Sequence, residues 1–271
     1  MAGRLLLQVE GGLCNRYRVL LSGLAFCEAT GRELVVCWPI VRVPVLSRLL
    51  GNGYFNSFGA RFGDLWKTEI NEISLKDWNI FANNINGNCS FPPDPHAKED
   101  LLIVKSCQPF FCDEAYSVEH YSSRLELLPE LQSMYEIALK GYFNNKPTIG
   151  VHIRHFRAHK KTLEASPVIW FEKQMGEIIS IHNNCNFFLS CDDPAISKLL
   201  HKKFANKIFE QKTVAAFNSK EAIQKALLDL FLLAKTDLIL GSYWSSFSEI
   251  AMLLQGKKGY RDSANQVGNF Q

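Results

Sequence analysis

The chain has 271 residues, of which 47% are hydrophobic and 21% are charged. This balance is typical of a folded protein and excludes a disordered one. At roughly 150 residues per domain, the length predicts about two domains, each with its own core. The 30 Lys+Arg and 27 Asp+Glu give a net charge of +3, which excludes a strongly basic nucleic-acid binder and is compatible with an anionic ligand.

No stretch has the roughly 18 apolar residues that a membrane span requires, and the apolar N-terminal run is too short for a signal sequence. We therefore expect a cytoplasmic protein. The eight cysteines include no C-x-x-C pair, and no His pair lies near Cys107 and Cys112. This pattern favours reduced, structural thiols over disulfides or a zinc site.

In the first half of the chain, short β-rich runs alternate with longer amphipathic stretches. Strands are predicted at residues 5–9, 33–38 and 101–105, and helices at 15–29 and 126–143. Gly31 is expected to end the first helix. Residues 39–100 are irregular and are predicted to form long loops around short elements. The Asn-Asn-Lys-Pro sequence at 144–147 is the predicted domain boundary.

The second half alternates more regularly. Strands are predicted at 148–153, 186–191, 207–210 and 237–240, and helices at 168–181, 195–204, 219–235 and 247–254. Such alternation indicates a Rossmann-like layer with a parallel sheet. The polar tail, residues 256–271, is expected to fray or to fold back. The predicted fold class is α/β, with Rossmann-like domains at 1–145 and 146–271.

Ligands of open α/β sheets bind beyond the carboxyl ends of the strands, and the first such end carries a glycine turn. Residues 11–16 begin with Gly11 and Gly12 and lead into a helix. Such a turn brings the backbone and the N–H groups of the helix close to a ligand. The alternative is a structural turn, since the sequence matches neither a dinucleotide-binding nor a P-loop motif.

The second strand end is basic. Residues 152–161 contain four Lys or Arg and three His. Strand alternation puts His152 and Arg154 on one face, and a guanidinium at a strand end suits a phosphate. The alternative is a solvated basic loop.

The third strand end is Asp192-Asp193-Pro194. Asp before Pro is a typical helix-capping sequence, which we favour over a metal or sugar site.

The fourth strand end, residues 241–249, is rich in serine. Ser246 and Glu249 fit a capping box. Serine hydroxyls at a helix start also suit phosphate, and the two interpretations are compatible.

Asp229 lies at the edge of an apolar helical stripe and is expected to be partly buried. A buried carboxylate needs a donor. That donor is either a ligand with paired N–H groups, such as guanine, or Lys225 four residues earlier.

Together these features resemble the fucosyltransferase superfamily of alpha-1,6-fucosyltransferases, nodulation fucosyltransferases and protein O-fucosyltransferases. That family has a Gly-rich loop ending in Asn, a His-x-Arg-Arg motif, an Asp-Asp-Pro-like turn and a Ser-Ser-Phe-Ser-like motif. The matching stretches come in the same order at residues 10–16, 151–154, 188–194, 228–230 and 245–248.

The resemblance implies a GT-B fold, in which two Rossmann-like domains face each other across a cleft. Residues 1–145 would be the acceptor side, with the acceptor on the irregular region 39–100, and 146–271 the donor domain. It further implies GDP-fucose as donor, a glycan acceptor, inversion at the anomeric carbon, and no obligatory metal or cofactor.

The resemblance also implies roles for individual residues. The donor would contact Gly12, Asn15, His152, Arg154, Asp229, Ser245 and Ser246. Arg154 would hold the diphosphate and stabilise the departing GDP, and His152 and Asp229 would read guanosine. Glu164 matches an acidic residue of the alpha-1,6 group and would act as the base or position the acceptor hydroxyl.

Two positions depart from the family pattern. His155 replaces the second Arg of His-x-Arg-Arg, for which Arg157 is the expected substitute, and Cys14 replaces the usual Gly. The alternatives are the same scaffold with another nucleotide sugar, or an inactive relative that binds nucleotide or glycan.

Overall fold

The computed structural model of the protein describes residues 3–41, 58–84, 92–111, 117–143, 146–155, 160–212 and 215–268. Two compact units are present. Unit 1 comprises Met1–Pro129 and Ala215–Gln224, and unit 2 comprises Glu130–Val214 and Lys225–Gln271. The predicted boundary near residue 146 falls within unit 2. Residues 156–159 of the basic segment, including Arg157, lie outside the described residues.

Unit 1 is an α/β layer. Its elements are β1 (Arg4–Val9), α1 (Leu13–Thr30), β2 (Glu33–Cys37), β3 (Asn71–Glu72), α2 (Leu75–Asn84), β4 (Leu101–Ser106) and α3 (Val118–Ser122). The four strands pair in parallel in the order β3-β2-β1-β4. Leu6 of β1 is in register with Val35 on one side and Ile103 on the other. The predicted strands of this half are therefore confirmed as neighbours in one sheet.

Helix α1 is buried along much of its length, because many of its residues are apolar. It begins at Leu13, two residues before the predicted start, because Gly12 takes the N-cap position. It ends at Gly31 as predicted. Gly31 has a left-handed backbone (φ 66°), and its N–H donates to the Cys27 carbonyl. A residue without Cβ adopts that conformation at no steric cost.

Unit 2 contains the second sheet. Its elements are α4 (Pro129–Tyr142, which begins on the last residue of unit 1), β5 (Thr148–Ile153), α5 (Lys160–Ala165), α6 (Val168–Ile181), β6 (Asn186–Cys191), α7 (Pro194–Lys203), β7 (Ile208–Phe209), α8 (Lys220–Leu233, whose residues up to Gln224 belong to unit 1), β8 (Leu238–Leu240), α9 (Ser246–Leu254), β9 (Gly259–Arg261) and β10 (Gln266–Gly268). The strand order is β10-β9-β8-β5-β6-β7. All pairs are parallel except β9 with β10.

The core of unit 2 lies between the sheet and helices α6 and α7. Ile149, Val151 and Ile153 point from β5 into this core, where they pack with Phe171 and Met175 of α6. The alternate strand positions carry Gly150 and His152, so β5 has an apolar face towards these helices. The strand therefore ends with its polar residues on the other face and in the following loop.

The polar tail folds back instead of fraying. Tyr260 of β9 is in register with Ile239 of β8, and β10 returns antiparallel to β9. Strand β9 has three residues, too few for an alternating pattern to predict it from the sequence.

The six cysteines in the described part of the chain form no disulfide bond with one another. Among the described residues, none of the helices combines the length and the apolar composition that crossing a bilayer requires.

Candidate functional site

Arg154 follows the last residue of β5 and is fixed by a neighbouring strand end. Its guanidinium pairs with the Asp192 carboxylate, which follows β6. The other Asp192 oxygen accepts a 2.7 Å hydrogen bond from the His155 N–H. The Arg154 side chain is 31% exposed. Its guanidinium therefore has N–H groups that are available to an anionic ligand.

His155 stands at the position of the second Arg in the His-x-Arg-Arg motif, and its side chain turns towards the start of α7. Its Nδ1 lies 2.9 Å from one Asp193 oxygen, and the other Asp193 oxygen accepts a 2.9 Å hydrogen bond from the Ala195 N–H. Asp193 is the N-cap of α7, and Pro194 is its first residue. The predicted capping role is therefore confirmed for Asp193, while Asp192 positions Arg154.

His152 is buried in a hydrogen-bonded cluster with two serines, Ser242 and Ser248. Its Nδ1 lies 2.7 Å from Ser248 Oγ, which accepts a 2.9 Å hydrogen bond from the Ser242 N–H. Ser242 Oγ in turn accepts from the Arg154 N–H at 2.9 Å and donates to the His152 carbonyl at 3.2 Å. These bonds join the end of β5 to the loop between β8 and α9.

The His152 imidazole is neutral. Burial, with the Arg154 charge acting in the same direction, lowers the pKa of His152 from 6.5 to about 3. The ring also stacks on Phe247, with 4.6 Å between centroids. Sequence reasoning selected His152 but missed Ser242 and Ser248, because their partners lie about 90 residues away and leave no local pattern.

Helix α9 begins next to this cluster. Its N-cap is Ser245, with an extended backbone (φ −99°, ψ 117°), and its first residue is Ser246. The predicted Ser246–Glu249 capping box is wrong, because Ser246 lies inside the helix. The Ser245 side chain makes no capping hydrogen bond. The N–H groups of the first turn have no helix carbonyl to donate to, so they suit an anion.

Asp229 is more deeply buried than expected, with 2% of its surface exposed. One carboxylate oxygen accepts from Lys225 Nζ at 2.6 Å and from Ser190 Oγ at 2.9 Å. The other accepts from Gln211 Nε2 at 2.9 Å. The predicted alternative, a pair with Lys225, is therefore present. These three hydrogen bonds hold the buried carboxylate within unit 2.

The titration of Asp229 reflects this burial. Desolvation raises the pKa of its carboxyl, and the Lys225 charge and the hydrogen bonds oppose that rise. Ser190 is the β6 register partner of His152, so Asp229 is tied to the same region of the sheet.

Glu164 lies on the short helix α5 and is open to solvent. Its side chain is 63% exposed, and its carboxylate lies 3.6 Å from Lys160 Nζ. Such an exposed pair contributes little to stability. The carboxylate is therefore accessible to a ligand.

In unit 1, the turn after β1 positions Asn15 over Gly11. Gly11 has a φ of +82°, and a Cβ there would lie 2.8 Å from Asn15 Nδ2. Gly12 has ordinary extended angles, and a Cβ there would meet nothing within 4 Å. Gly12 therefore borders open space.

Arg16, which sequence reasoning did not select, is buried under this turn. Its Nε donates to the Gly11 carbonyl at 2.9 Å, and Nη1 donates to the Pro39 carbonyl at 2.8 Å. The guanidinium lies 3.8 Å from the Phe58 ring centroid. Burial lowers the pKa of Arg16 to about 10, against the opposing effects of Cys37 and Glu10. Arg16 therefore fixes the glycine turn relative to the end of β2.

Unit 1 also has a pocket of about 720 Å³, lined by Leu24, Leu34 and residues from Phe62 to Glu72. Part of its wall belongs to the region in which an acceptor is expected.

Within the part of the chain that the structure describes, no three His, Cys, Asp or Glu side chains are grouped closely enough to hold a metal ion. Contacts of Ser242, Phe247 and Ser248 bring the start of α9, with Ser245 and Ser246, near His152 and Arg154 at one end of the unit 2 sheet. Asp229 is linked to them through Ser190.

The overall architecture is that of the GT-B glycosyltransferases, as solved structures show. NodZ alpha-1,6-fucosyltransferase soaked with GDP-fucose has a TM-score of 0.65 and 17% identity to this chain, with 93% of this chain and 92% of that chain covered. A mutant of Arabidopsis thaliana FUT1 in complex with GDP has a TM-score of 0.62 and 14% identity, with 96% of this chain and 70% of that chain covered. POFUT1 in complex with GDP has a TM-score of 0.58 and 12% identity, with 94% of each chain covered.

All three are fucosyltransferases, the superfamily that the sequence motifs resemble. The predicted α/β, GT-B-like fold class is therefore confirmed. No model of a protein family matches the chain, and no curated protein matches it in sequence.

Proposed function

We propose that the protein is a glycosyltransferase that transfers fucose from GDP-fucose to a hydroxyl group of a glycan. Transfer would proceed with inversion at the anomeric carbon and without an obligatory metal or cofactor. The fold supports this proposal, because structures with the same fold were obtained with GDP or GDP-fucose. The cytoplasmic location expected from the sequence stays a prediction.

The observation that carries the proposal is the position of Arg154 beside the start of α9. The Arg154 N–H is bonded to Ser242 Oγ, and Ser242 lies three residues before the N-cap Ser245. A guanidinium and the N-terminus of a helix both favour a doubly charged group such as a diphosphate. Ser245 and Ser246 would add hydroxyl donors to it.

The reaction needs charge stabilisation and a base. When the bond from the anomeric carbon to the phosphate oxygen breaks, its electron pair stays on GDP, and Arg154 and the α9 N–H groups stabilise that charge. The acceptor oxygen forms the new bond on the opposite face of the sugar. Its proton goes to a carboxylate, for which Glu164 is our candidate.

Other roles follow from the same proposal. His152, as a neutral imidazole, and Asp229 would read guanosine, and Gly12 and Asn15 would contact the donor from unit 1. The pocket beside Leu24 and Leu34 supports an acceptor site on unit 1.

The test measures donor binding and transfer by the whole chain. We expect GDP and GDP-fucose to raise the melting temperature of the wild type, with about 2.7 kcal/mol of stabilisation at 100 times the Kd. UDP- and dTDP-sugars should have no such effect. Arg154→Lys keeps the charge but loses the planar fork, so transfer should fall about 100-fold or more.

The matched control is Lys173→Ala, which removes an exposed cation of the same unit that lies 3.8 Å from the Glu177 carboxylate. It should leave transfer unchanged. A response to another nucleotide sugar instead of GDP-fucose would favour the alternative donor. Binding of GDP-fucose without transfer or hydrolysis would favour an inactive relative, for which the replacement of the second Arg by His155 is the motivating observation.

A further inference from the structure

Trp244 is exposed in a conformation that its residue type disfavours. The side chain is 61% exposed, and its φ is +60°. Such angles are uncommon for residues other than Gly and Asn, and are strained for a bulky side chain. Three other tryptophans, Trp38, Trp66 and Trp78, are buried. Packing in a core therefore does not explain why Trp stands at position 244.

Backbone hydrogen bonds of a turn hold Trp244 in place, and its ring lies 5.7 Å from the Tyr243 ring, centroid to centroid. The Ser245 N–H donates to the Ser242 carbonyl at 3.3 Å, which makes Trp244 the third residue of a tight turn. A positive φ at that position normally selects Gly or Asn. The Tyr243 N–H donates to Ser166 Oγ at 2.7 Å, which fixes the turn against the chain beyond α5.

The indole borders the place where the proposed diphosphate would bind. Trp244 directly precedes Ser245, the N-cap of α9. On one side, Lys161 Nζ lies 4.8 Å from the ring centroid. Lys161 belongs to α5, the helix that carries Glu164, so the ring lies beside the helix of the candidate base.

We propose that Trp244 is the platform for the sugar ring of the donor, an inference that rests on the proposed function. The sugar is bonded directly to the second phosphate, so the surface next to the phosphate site receives the sugar. A 6-deoxyhexose presents C–H groups and a methyl group on its apolar side, which pack favourably on an aromatic face. Lys161 Nζ and the Tyr243 ring lie against the indole, and the sugar packs on its exposed surface.

The experiment compares binding of GDP and GDP-fucose by calorimetry, because GDP-fucose contains the sugar in addition to the nucleotide diphosphate. The key variant is Trp244→Gly, which removes the ring and also relieves the backbone strain, so it should fold. We expect it to weaken GDP-fucose binding about tenfold while leaving GDP binding unchanged. Trp244→Phe retains an aromatic face and should keep most of the affinity for GDP-fucose.

Lys257→Gly is the matched control. Lys257 is an exposed residue of unit 2 with a φ of +57°, so the change relieves similar strain without removing an aromatic ring. It should raise the melting temperature as Trp244→Gly does, with both affinities unchanged.

An unchanged ratio of the two affinities in Trp244→Gly overturns the inference, and so does an equal loss for both ligands, which would place the ring on the nucleotide. If the wild type binds neither ligand, the proposed function itself fails, and this inference fails with it. Wild-type binding together with an unchanged ratio overturns the inference alone.

Discussion

At the end of β5, buried polar groups bond to one another. His152, Ser242 and Ser248 are all withdrawn from water, where an unpaired polar group is costly. Their bonds also hold the Arg154 backbone N–H. The cluster that satisfies these groups therefore also orients the residue on which the proposed function depends.

The buried imidazole makes stability depend on pH. The pKa of His152 falls from 6.5 to about 3 in the folded protein, so the unfolded chain binds a proton that the folded chain does not. Its contribution to stability is complete above pH 6.5 and is lost as the pH falls towards 3. Between pH 7 and pH 5 we expect the free energy of unfolding to drop by about 2 kcal/mol from this group.

Urea unfolding of the wild type and His152→Asn at the two pH values measures this effect. The variant should lack that part of the drop. Ser248→Ala serves as the control, because it loses the 2.7 Å contact to Nδ1 but keeps the imidazole, and it should retain the pH dependence. An equal drop in the wild type and His152→Asn would show that another group titrates.

The side chains that bond to a given residue were predictable from the sequence only where they are close to it along the chain. The Lys225 and Asp229 pair follows from a spacing of four residues on one helix, and the sequence predicts it as an alternative. Ser190 and Gln211, which complete the shell of Asp229, come from other elements. Nothing in the local pattern indicates that they meet.

At the scale of elements, the turn between β1 and α1 contains two glycines with different structural roles. Gly11 requires its left-handed φ of +82°, whereas Gly12 has an ordinary backbone and faces open space. Gly11→Ala should therefore lower the free energy of unfolding by about 1–3 kcal/mol. Gly12→Ala should lower it by only about 0.5–1 kcal/mol, because Ala is a poorer N-cap than Gly.

The same pair tests the predicted ligand contact. If the donor approaches the backbone at Gly12, the added methyl group weakens GDP-fucose binding about tenfold in a protein of nearly normal stability. Urea unfolding and calorimetry measure the two effects separately. Unchanged binding by Gly12→Ala would remove Gly12 from the donor site, and a stable Gly11→Ala would contradict the strained turn.

Element bounds were predictable where periodicity is strong. Strands β5 and β6 and helix α6 have the bounds that the sequence predicts, because each combines an apolar run with clear flanking residues. The start of α9 was less accessible, since both Ser245 and Ser246 are good caps. The extended backbone of Ser245 decides between them, and that conformation depends on the preceding turn at Ser242.

In the whole molecule, segments that are far apart in the sequence belong to the same compact unit. Residues Ala215–Gln224 belong to unit 1, although they lie far from the rest of it in sequence. The Gly59 N–H donates to the Asn218 carbonyl at 3.0 Å, and Gln224 Nε2 donates to the Asp64 carbonyl at 2.8 Å. Helix periodicity predicts the helix that begins at Lys220 but contains no information on which segment it contacts.

This long-range contact can be tested by adding a methyl group at Gly59. A Cβ at Gly59 would lie 2.7 Å from the Asn218 carbonyl oxygen, so Gly59→Ala must displace one backbone segment from the other. We expect the free energy of unfolding to fall by about 1–3 kcal/mol. Gly63→Ala is the control from the same stretch of chain, because a Cβ there meets nothing within 4 Å, and it should be neutral or slightly stabilising. Urea unfolding of both variants decides the matter: equal stabilities would mean that Ala215–Gln224 is not held against Gly59, whereas a loss in Gly59→Ala alone supports the discontinuous unit 1.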